Sequence, residues 1–277
     1  MILGFLQGVT EFLPVSSSGH LVVYQQLFGL SGPGGPAGPD ETRLLFEVMV
    51  HLGTLIAVLV VFRSDIAALV TGALRAATGH AGGDRGPLRL LLLLVVGSIP
   101  AAVFGLGWKD ELEHLFSAPL YVGFAFLLTG TVLWLSRYPG RPVRDLGRTT
   151  WIDALLIGLG QALALVPGVS RSGTTISVAL LLGLDRQLAA RYSFLLAVPA
   201  ILGAVVVQAG DAGGIPADQW TAVAAGTIMA AVSGYVALKL LLRIVIAGNL
   251  SRFSYYCWGI GLLTLGGALS GLTGMSG

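Results

Sequence analysis

Two polar turns, each next to a proline, interrupt an otherwise apolar sequence and limit the folds that it can adopt. The first lies in Gln7-Gly-Val-Thr-Glu-Phe-Leu-Pro-Val-Ser-Ser-Ser-Gly-His20, and the second in Leu165-Val-Pro-Gly-Val-Ser-Arg-Ser-Gly-Thr-Thr175. A shift of 154 positions aligns five identical residues: Gln7, Val15, Ser16, Ser18 and Gly19 with Gln161, Val169, Ser170, Ser172 and Gly173. Because proline cannot continue a helical hydrogen-bond ladder, each turn is predicted to break a helix. The chain therefore resembles two copies of one unit.

The composition indicates an all-α integral membrane protein. Hydrophobic residues make up 55% of the chain and charged residues only 11%, which is too little polar material to cover a soluble domain. Several apolar runs approach the ~20 residues that a helix needs to cross the hydrocarbon core of a bilayer. We expect a single membrane domain over residues 1–277, and nothing in the sequence points to a nucleic-acid partner.

Each repeat is predicted to contain one re-entrant helical hairpin and three transmembrane helices, which gives six full spans. Repeat one covers about 1–150, with hairpin arms at 1–13 and 16–28 and spans at 44–62, 88–106 and 119–136. Repeat two covers about 151–277, with arms at 152–166 and 172–184 and spans at 192–207, 220–242 and 255–272. Arms this short cannot cross a bilayer, and a break at membrane depth requires protein or a water-filled cavity around it.

The basic residues predict the orientation of the spans. If a loop at 63–87 is cytoplasmic, alternation of the spans puts nearly all of the arginines on the cytoplasmic side, as the positive-inside rule requires. Arg171 is excepted because it belongs to the second turn. Three spans per repeat is an odd number, so the second repeat is inverted relative to the first. The hairpins then enter from opposite faces, and their tips at 16–20 and 170–174 are expected to meet near the midplane.

The two tips carry groups that bind anions. Each tip begins a helix, so its free backbone N–H groups, including that of Gly173, and the positive end of the helix dipole face the same cavity. Hydroxyl donors come from seven residues: Ser16, Ser17, Ser18, Ser170, Ser172, Thr174 and Thr175. Arg171 adds a planar cation suited to phosphate, and its burial at membrane depth costs about 2.5–3.5 kcal/mol or more. The alternative is that Arg171 only pairs with Glu11 to join the two halves.

Gln7 and Glu11 are four residues apart and share one helix face. A carboxylate beside a phosphate is repelled unless a cation lies between them, so the pair indicates a bound divalent cation, Mg²⁺ or Ca²⁺. One carboxylate makes a sparse metal site. Two alternatives are an ion pair between Glu11 and Arg171, and a Glu11 that orients His20.

His20 favours an enzyme over a carrier, because a group that titrates near neutrality suits proton transfer to a leaving oxygen. Ser17, three residues earlier, can attack phosphorus with His20 as its base, or the imidazole can attack while Ser17 holds the phosphate. The sequence does not separate these mechanisms. Glu47 and His51, also four residues apart, either form a structural pair or line the cavity.

The two stretches resemble the signature motifs of the undecaprenyl-diphosphate phosphatase family, the bacitracin-resistance proteins. The resemblance covers nearly the whole chain, including Phe194-Leu-Leu-Ala-Val-Pro199. It implies a phosphatase of the bacterial inner membrane that hydrolyses undecaprenyl diphosphate to undecaprenyl phosphate and phosphate, recycles the lipid carrier of peptidoglycan synthesis and uses a divalent cation. The family's catalytic residues carry over to Glu11, Ser17, His20 and Arg171.

The chain departs from the family pattern at two points. Gln7 stands where many members have glutamate, which weakens a metal site built from two carboxylates. The chain also begins closer to the motif than is usual, so a few residues are expected to be missing upstream of Met1.

We expect the active site to open to the outer, periplasmic side of the membrane, and a homodimer is one candidate oligomeric state. The alternative function is a lipid-phosphate carrier or flippase, because secondary transporters share inverted repeats with broken helices.

Overall fold

Two short helix pairs and a set of longer apolar helices make up the fold. The computed structural model describes residues 1–27, 40–78, 85–108, 111, 115, 119–138, 143–211 and 220–270. The named helices of that part are α1 (Ile2–Phe12), α2 (Ser17–Leu27), α3 (Asp40–Val61), α4 (Arg63–Ala77), α5 (Gly86–Gly107), α6 (Pro119–Leu135), α7 (Trp151–Leu163), α8 (Arg171–Leu181), α9 (Arg186–Asp211), α10 (Trp220–Ile246) and α11 (Phe253–Leu269). The all-α prediction is confirmed.

Several of these helices are compatible with a multi-pass membrane protein. Within the described residues, Gly86–Gly107, Arg186–Val206 and Trp220–Ile246 are long and apolar enough to cross a membrane, and α3 with α4 forms a fourth candidate if that bent pair is one span. The outer surface of α10 carries a stripe of exposed apolar residues at helical spacing, Ile228, Val232, Val236 and Leu240. Since such a stripe is unfavourable in water, it is a lipid-facing surface.

The segment after α3 is helical, whereas the sequence analysis predicted a loop over 63–87. The helix α4 covers Arg63–Ala77 and meets α3 at a bend of 79°. Buried Leu69 packs into the core, and Asp65 forms an ion pair with Arg191 of α9. The basic residues at its ends suggested a loop, but the apolar residues between them already recur at helical spacing.

Both polar turns break a helix pair, as predicted. The arm α1 ends at Phe12, just before Pro14, and α7 ends at Leu163. Both second arms begin with the same serine cap: Ser16 Oγ accepts from Gly19 N at 3.3 Å, and Ser170 Oγ accepts from Gly173 N at 3.1 Å. Such caps satisfy a backbone donor that the first helical turn leaves free. The Gly173 N–H, predicted to be free for an anion, is therefore already bonded to Ser170. Ser16 adopts a left-handed conformation with φ of 65°, which tightens the first turn.

Each hairpin packs against a long helix from the other half of the chain. The arm α1 packs on α10, and α7 packs on α5. Gly4 lies so close to Gly226 that a Cβ on Gly4 would overlap the Gly226 carbonyl oxygen, and Gly158 meets Gly97 in the same way. Gly158 follows Gly4 by 154 positions, the same shift that relates the two turns. Small residues of this kind let membrane helices approach closely.

An ion pair joins the two arms of the second hairpin at the end opposite its tip. Arg144 donates to the two oxygens of Asp153 at 2.7 and 3.1 Å and to the carbonyl of Leu182 at 2.6 Å. Asp153 also accepts from the backbone of Thr150 at 2.7 Å and so caps α7. The segment before α7 is thereby fixed to the end of α8, which holds the two arms together.

Candidate active site

The two hairpin tips are in contact, which is the arrangement that the sequence predicts. A Cβ on Gly19 would lie 2.8 Å from the Gly168 Cα, and a Cβ on Gly173 would lie 3.2 Å from the Pro14 Cβ. A larger side chain at Gly19 would force the second tip to shift, and one at Gly173 would require its neighbours to move by a few tenths of an ångström. The 154-residue shift converts each of these two contacts into the other.

Two long helices also hold the tips. On α6, Thr129 Oγ1 donates to the Gly168 carbonyl at 3.0 Å and accepts from Ser170 N at 3.1 Å. On α11, Cys257 Sγ donates to the Pro14 carbonyl at 3.4 Å. The irregular backbone at each break therefore finds hydrogen-bond partners in the protein, which breaks at membrane depth require.

Glu11 is the centre of a polar cluster between the tips. Arg171 Nη2 donates to Glu11 Oε1 at 2.8 Å, Ser17 Oγ donates to Oε2 at 2.8 Å, and Gln7 Nε2 donates to Oε2 at 3.1 Å. The Glu11 side chain is 9% exposed and that of Arg171 is 16% exposed. Three of the four residues predicted to be catalytic thus meet here, with Arg171 reaching across from the other half.

His20 is turned toward different partners. Its Nδ1 lies 2.7 Å from the Ser16 carbonyl oxygen, and its Nε2 lies 2.6 Å from the hydroxyl of Tyr256 on α11. Ser17 donates to Glu11 instead. The sequence gives no sign of this role for Tyr256, because the residue lies among the aromatic residues at the start of α11 and no local spacing relates it to the tips.

The predicted phosphate-binding hydroxyls divide into a partly exposed group and a buried group. Ser17 and Ser18 on the first tip are partly exposed. The second tip is enclosed, with at most 2% exposure for each of its four hydroxyl residues Ser170, Ser172, Thr174 and Thr175. The accessible side of the cluster therefore lies on the first hairpin.

Internal hydrogen bonds account for most of these hydroxyls. The serine pairs Ser16–Ser18 and Ser170–Ser172 lie at 3.3 and 3.4 Å, and Thr175 donates to the Arg171 carbonyl at 2.8 Å and also contacts Ser193. Two buried polar atoms of the second tip, Arg171 Nη1 and Thr174 Oγ1, have no hydrogen-bond partner within the described part of the chain. Both atoms are hydrogen-bond donors that the described protein groups leave unused.

The donor set around Gln7 decides what cation fits. Gln7 Nε2 lies 3.2 Å from His51 Nε2 as well as donating to Glu11. The side chain of Glu47, predicted to pair with His51, lies outside the described residues, among which no three His, Cys, Asp or Glu side chains form a metal-binding group. Mg²⁺ is commonly held by one or two carboxylates together with substrate phosphates and water. Glu11 and Gln7 could offer one carboxylate and one amide oxygen to a cation of that kind, although both Glu11 oxygens accept hydrogen bonds here.

Comparison with known proteins gives the family. A family model described as Bacitracin resistance protein BacA matches residues 1–263. The chain is 42% identical to the Undecaprenyl-diphosphatase of Carboxydothermus hydrogenoformans over 272 residues, with 96% of this chain and 95% of that protein covered. The protein of the same name from Desulfosudis oleivorans is 45% identical over 274 residues, with 96% of each chain covered. The one from Methanobrevibacter smithii is 40% identical over 280 residues, with 98% of each covered. Since the match extends over nearly the whole chain and includes both tips, the protein belongs to the BacA family of bacitracin-resistance proteins.

Proposed function

We propose that the protein is a membrane phosphatase that hydrolyses undecaprenyl diphosphate to undecaprenyl phosphate and inorganic phosphate. This reaction recycles the lipid carrier of cell-wall synthesis. The observation that carries the proposal is the cluster of Glu11, Ser17 and Arg171 between two touching helix tips. Relatives named Undecaprenyl-diphosphatase that match nearly the full chain support the choice of substrate.

The diphosphate is bound by the tips. The helices α2 and α8 both begin there, so the positive ends of their dipoles favour an anion, although the Gly19 and Gly173 N–H groups already bond their serine caps. Arg171 supplies the permanent positive charge, and its Nη1 is available to a phosphoryl oxygen while Nη2 remains on Glu11. Preorganised donors of this kind stabilise the charge that develops on a transferred phosphoryl group. Arg171 thus links the part of the site that carries the Glu11 carboxylate to the part that binds the phosphate.

Ser17 is the nucleophile in this mechanism, and Glu11 is its base. The 2.8 Å hydrogen bond from Ser17 Oγ to Glu11 Oε2 gives the hydroxyl proton a direct acceptor. As Oγ bonds to the terminal phosphorus, the bond from that phosphorus to the bridging oxygen breaks and undecaprenyl phosphate leaves. Water then cleaves the phosphoserine, and Glu11 returns the proton to Oγ. The contact of His20 Nε2 with Tyr256 instead of Ser17 supports Glu11 as the base.

A divalent cation, Mg²⁺ or Ca²⁺, is proposed to accompany the diphosphate. Glu11 would be its carboxylate ligand, and Gln7 would offer its amide oxygen after rotation of the amide group. The cation would neutralise part of the diphosphate charge. Gln7→Glu is expected to tighten binding of Mg²⁺ in the presence of a non-hydrolysable diphosphate, measured by calorimetry. Unchanged Mg²⁺ affinity would remove Gln7 from the cation site.

The fold is proposed to be a single membrane domain of two inverted repeats with six spans. Reciprocal contacts support this topology, since Gly4 with Gly226 and Gly158 with Gly97 are equivalent under exchange of the halves. A pseudo-two-fold axis in the membrane plane has this property. The greater exposure of the first hairpin supports a site that opens to the periplasmic side of the inner membrane.

Phosphate release from C55 diphosphate by the purified protein tests the function. We expect His20→Ala and Arg171→Ala to lose most of the turnover, while Thr71→Ala, whose hydroxyl only bonds carbonyls of its own helix α4, retains it. Near wild-type turnover by Arg171→Ala would remove the proposed mechanism. Movement of the lipid across vesicles by a variant that cannot hydrolyse it would instead favour a carrier.

A further inference from the structure

Tyr256 contacts the imidazole of His20 from the other end of the chain. Its hydroxyl lies 2.6 Å from His20 Nε2. The two rings are nearly parallel, with an interplanar angle of 6° and centroids 5.7 Å apart. On another side, the ring of Phe126 meets the imidazole edge-on at 5.3 Å. The hydrogen bond and the ring contacts together fix both the location and the tilt of the imidazole.

The other ring nitrogen determines what Tyr256 can do. His20 Nδ1 lies 2.7 Å from the Ser16 carbonyl oxygen, which can only accept a hydrogen bond. Nδ1 therefore carries the hydrogen, and in neutral His20 the nitrogen that can take a proton is Nε2. The hydroxyl of Tyr256 is the group that faces this nitrogen. Rotation of the ring toward Ser17 would break the bonds to both Ser16 and Tyr256.

We propose that Tyr256 relays a proton to His20 Nε2 from the water that cleaves the phosphoserine, because the Tyr256 hydroxyl already occupies that nitrogen. The inference rests on the proposed hydrolysis, whose second step needs a base while Glu11 still holds the proton of Ser17. The water oxygen bonds to phosphorus as one of its protons passes to the Tyr256 oxygen and the Tyr256 hydroxyl proton passes to His20 Nε2. The bond from phosphorus to Ser17 Oγ breaks, and Oγ takes its proton back from Glu11.

Kinetics of Tyr256→Phe test the role, because this variant removes the hydroxyl and keeps the ring. We expect kcat to fall about tenfold or more because the proton loses its path to Nε2, with KM unchanged because the tip donors are intact. The same substitution should have no further effect on the residual turnover of a His20→Ala variant, since Tyr256 acts through His20. That slow turnover is measured over longer incubations. Tyr255→Phe is the matched control: this neighbouring tyrosine packs on Trp134 and Trp258.

A chemical readout tests the contact without using turnover. Diethyl pyrocarbonate modifies unprotonated imidazole nitrogen, and peptide mass spectrometry resolves His20 from the other histidines. Tyr256→Phe should raise the labelling rate of His20 about three- to tenfold because Nε2 loses its hydrogen-bond partner, whereas Tyr255→Phe should leave it unchanged. An unchanged labelling rate, or a kcat effect that persists in full without His20, overturns the proposal. If the wild-type protein hydrolyses nothing, the proposed function fails and labelling alone decides whether Tyr256 holds His20.

Discussion

Removing one partner of the Glu11–Arg171 ion pair should destabilise the protein more than removing both. The pair is 2.8 Å long, and its side chains are 9% and 16% exposed, so solvent screens either charge only weakly. Loss of one partner from a buried pair costs about 3–5 kcal/mol because the other charge stays buried. Glu11→Gln should lie at the upper end, since Arg171 Nη1 already has no partner within the described residues. Arg171→Met should cost less, because Ser17 and Gln7 still donate to the carboxylate.

The single cysteine offers a direct assay of this cost. Cys257 is fully buried and donates to the Pro14 carbonyl in the first tip, so a thiol-reactive dye reports when that tip opens on heating. At roughly 2–4 °C per kcal/mol for a chain of this size, a single variant should lower the unfolding midpoint by about 6–20 °C. The double variant Glu11→Gln with Arg171→Met should regain about half of that loss or more, because no buried charge remains.

A more exposed ion pair provides the control. Asp65 and Arg191 are 21% and 36% exposed, so Asp65→Asn should cost only about 0–1 kcal/mol. Two results would refute the reasoning. One is a double variant at Glu11 and Arg171 whose loss equals the sum of the single losses, and the other is a Glu11→Gln loss no larger than that of Asp65→Asn.

Three further predictions follow from the described contacts. Ser17→Ala should lower phosphate release by more than about 100-fold if Ser17 is the nucleophile, and retention of a tenth of the wild-type rate would reassign that role. Gly4→Ala and Gly158→Ala should each cost about 1–3 kcal/mol by overpacking, whereas Gly203→Ala, whose Cβ would meet nothing within 4 Å, should be neutral or stabilising in the same thermal assay; equal effects at all three would argue against the close helix contacts. Gln161→Met should raise the unfolding midpoint, because both amide atoms of this 2% exposed side chain lack partners within the described residues and burying them costs about 1–3 kcal/mol; a lower midpoint would reveal bound water at the amide.

The sequence predicts the features that local chemistry determines. Pro14 and the Ser-Gly turns specify where the hairpins break, and the 154-residue shift predicts a second tip like the first. The meeting of Glu11 and Arg171 is also predicted, since the two tips that carry them are expected to lie together. These are properties of single residues and short spacings.

The sequence does not predict which helices pack together. The helices α6 and α11 are apolar on nearly all sides, so their pattern gives a length but no packing face. The contacts of Gln7 with His51 and of His20 with Tyr256 join segments 44 and 236 residues apart, which no periodicity relates. The helix α4 was missed for a different reason, because its charged ends outweighed its apolar spacing.

The packing of α1 on α10 has a consequence for biosynthesis. Ser233 on α10 donates to the Phe5 carbonyl on α1, a contact between residues 228 positions apart. At a typical 5–20 residues per second, the ribosome needs about 10–45 s to reach Ser233 after it has added Phe5. During that interval the newly inserted amino-terminal arm lacks its neighbour and must be shielded by the translocon or by lipid. A nascent chain therefore completes the packing around α1 only when translation is nearly finished.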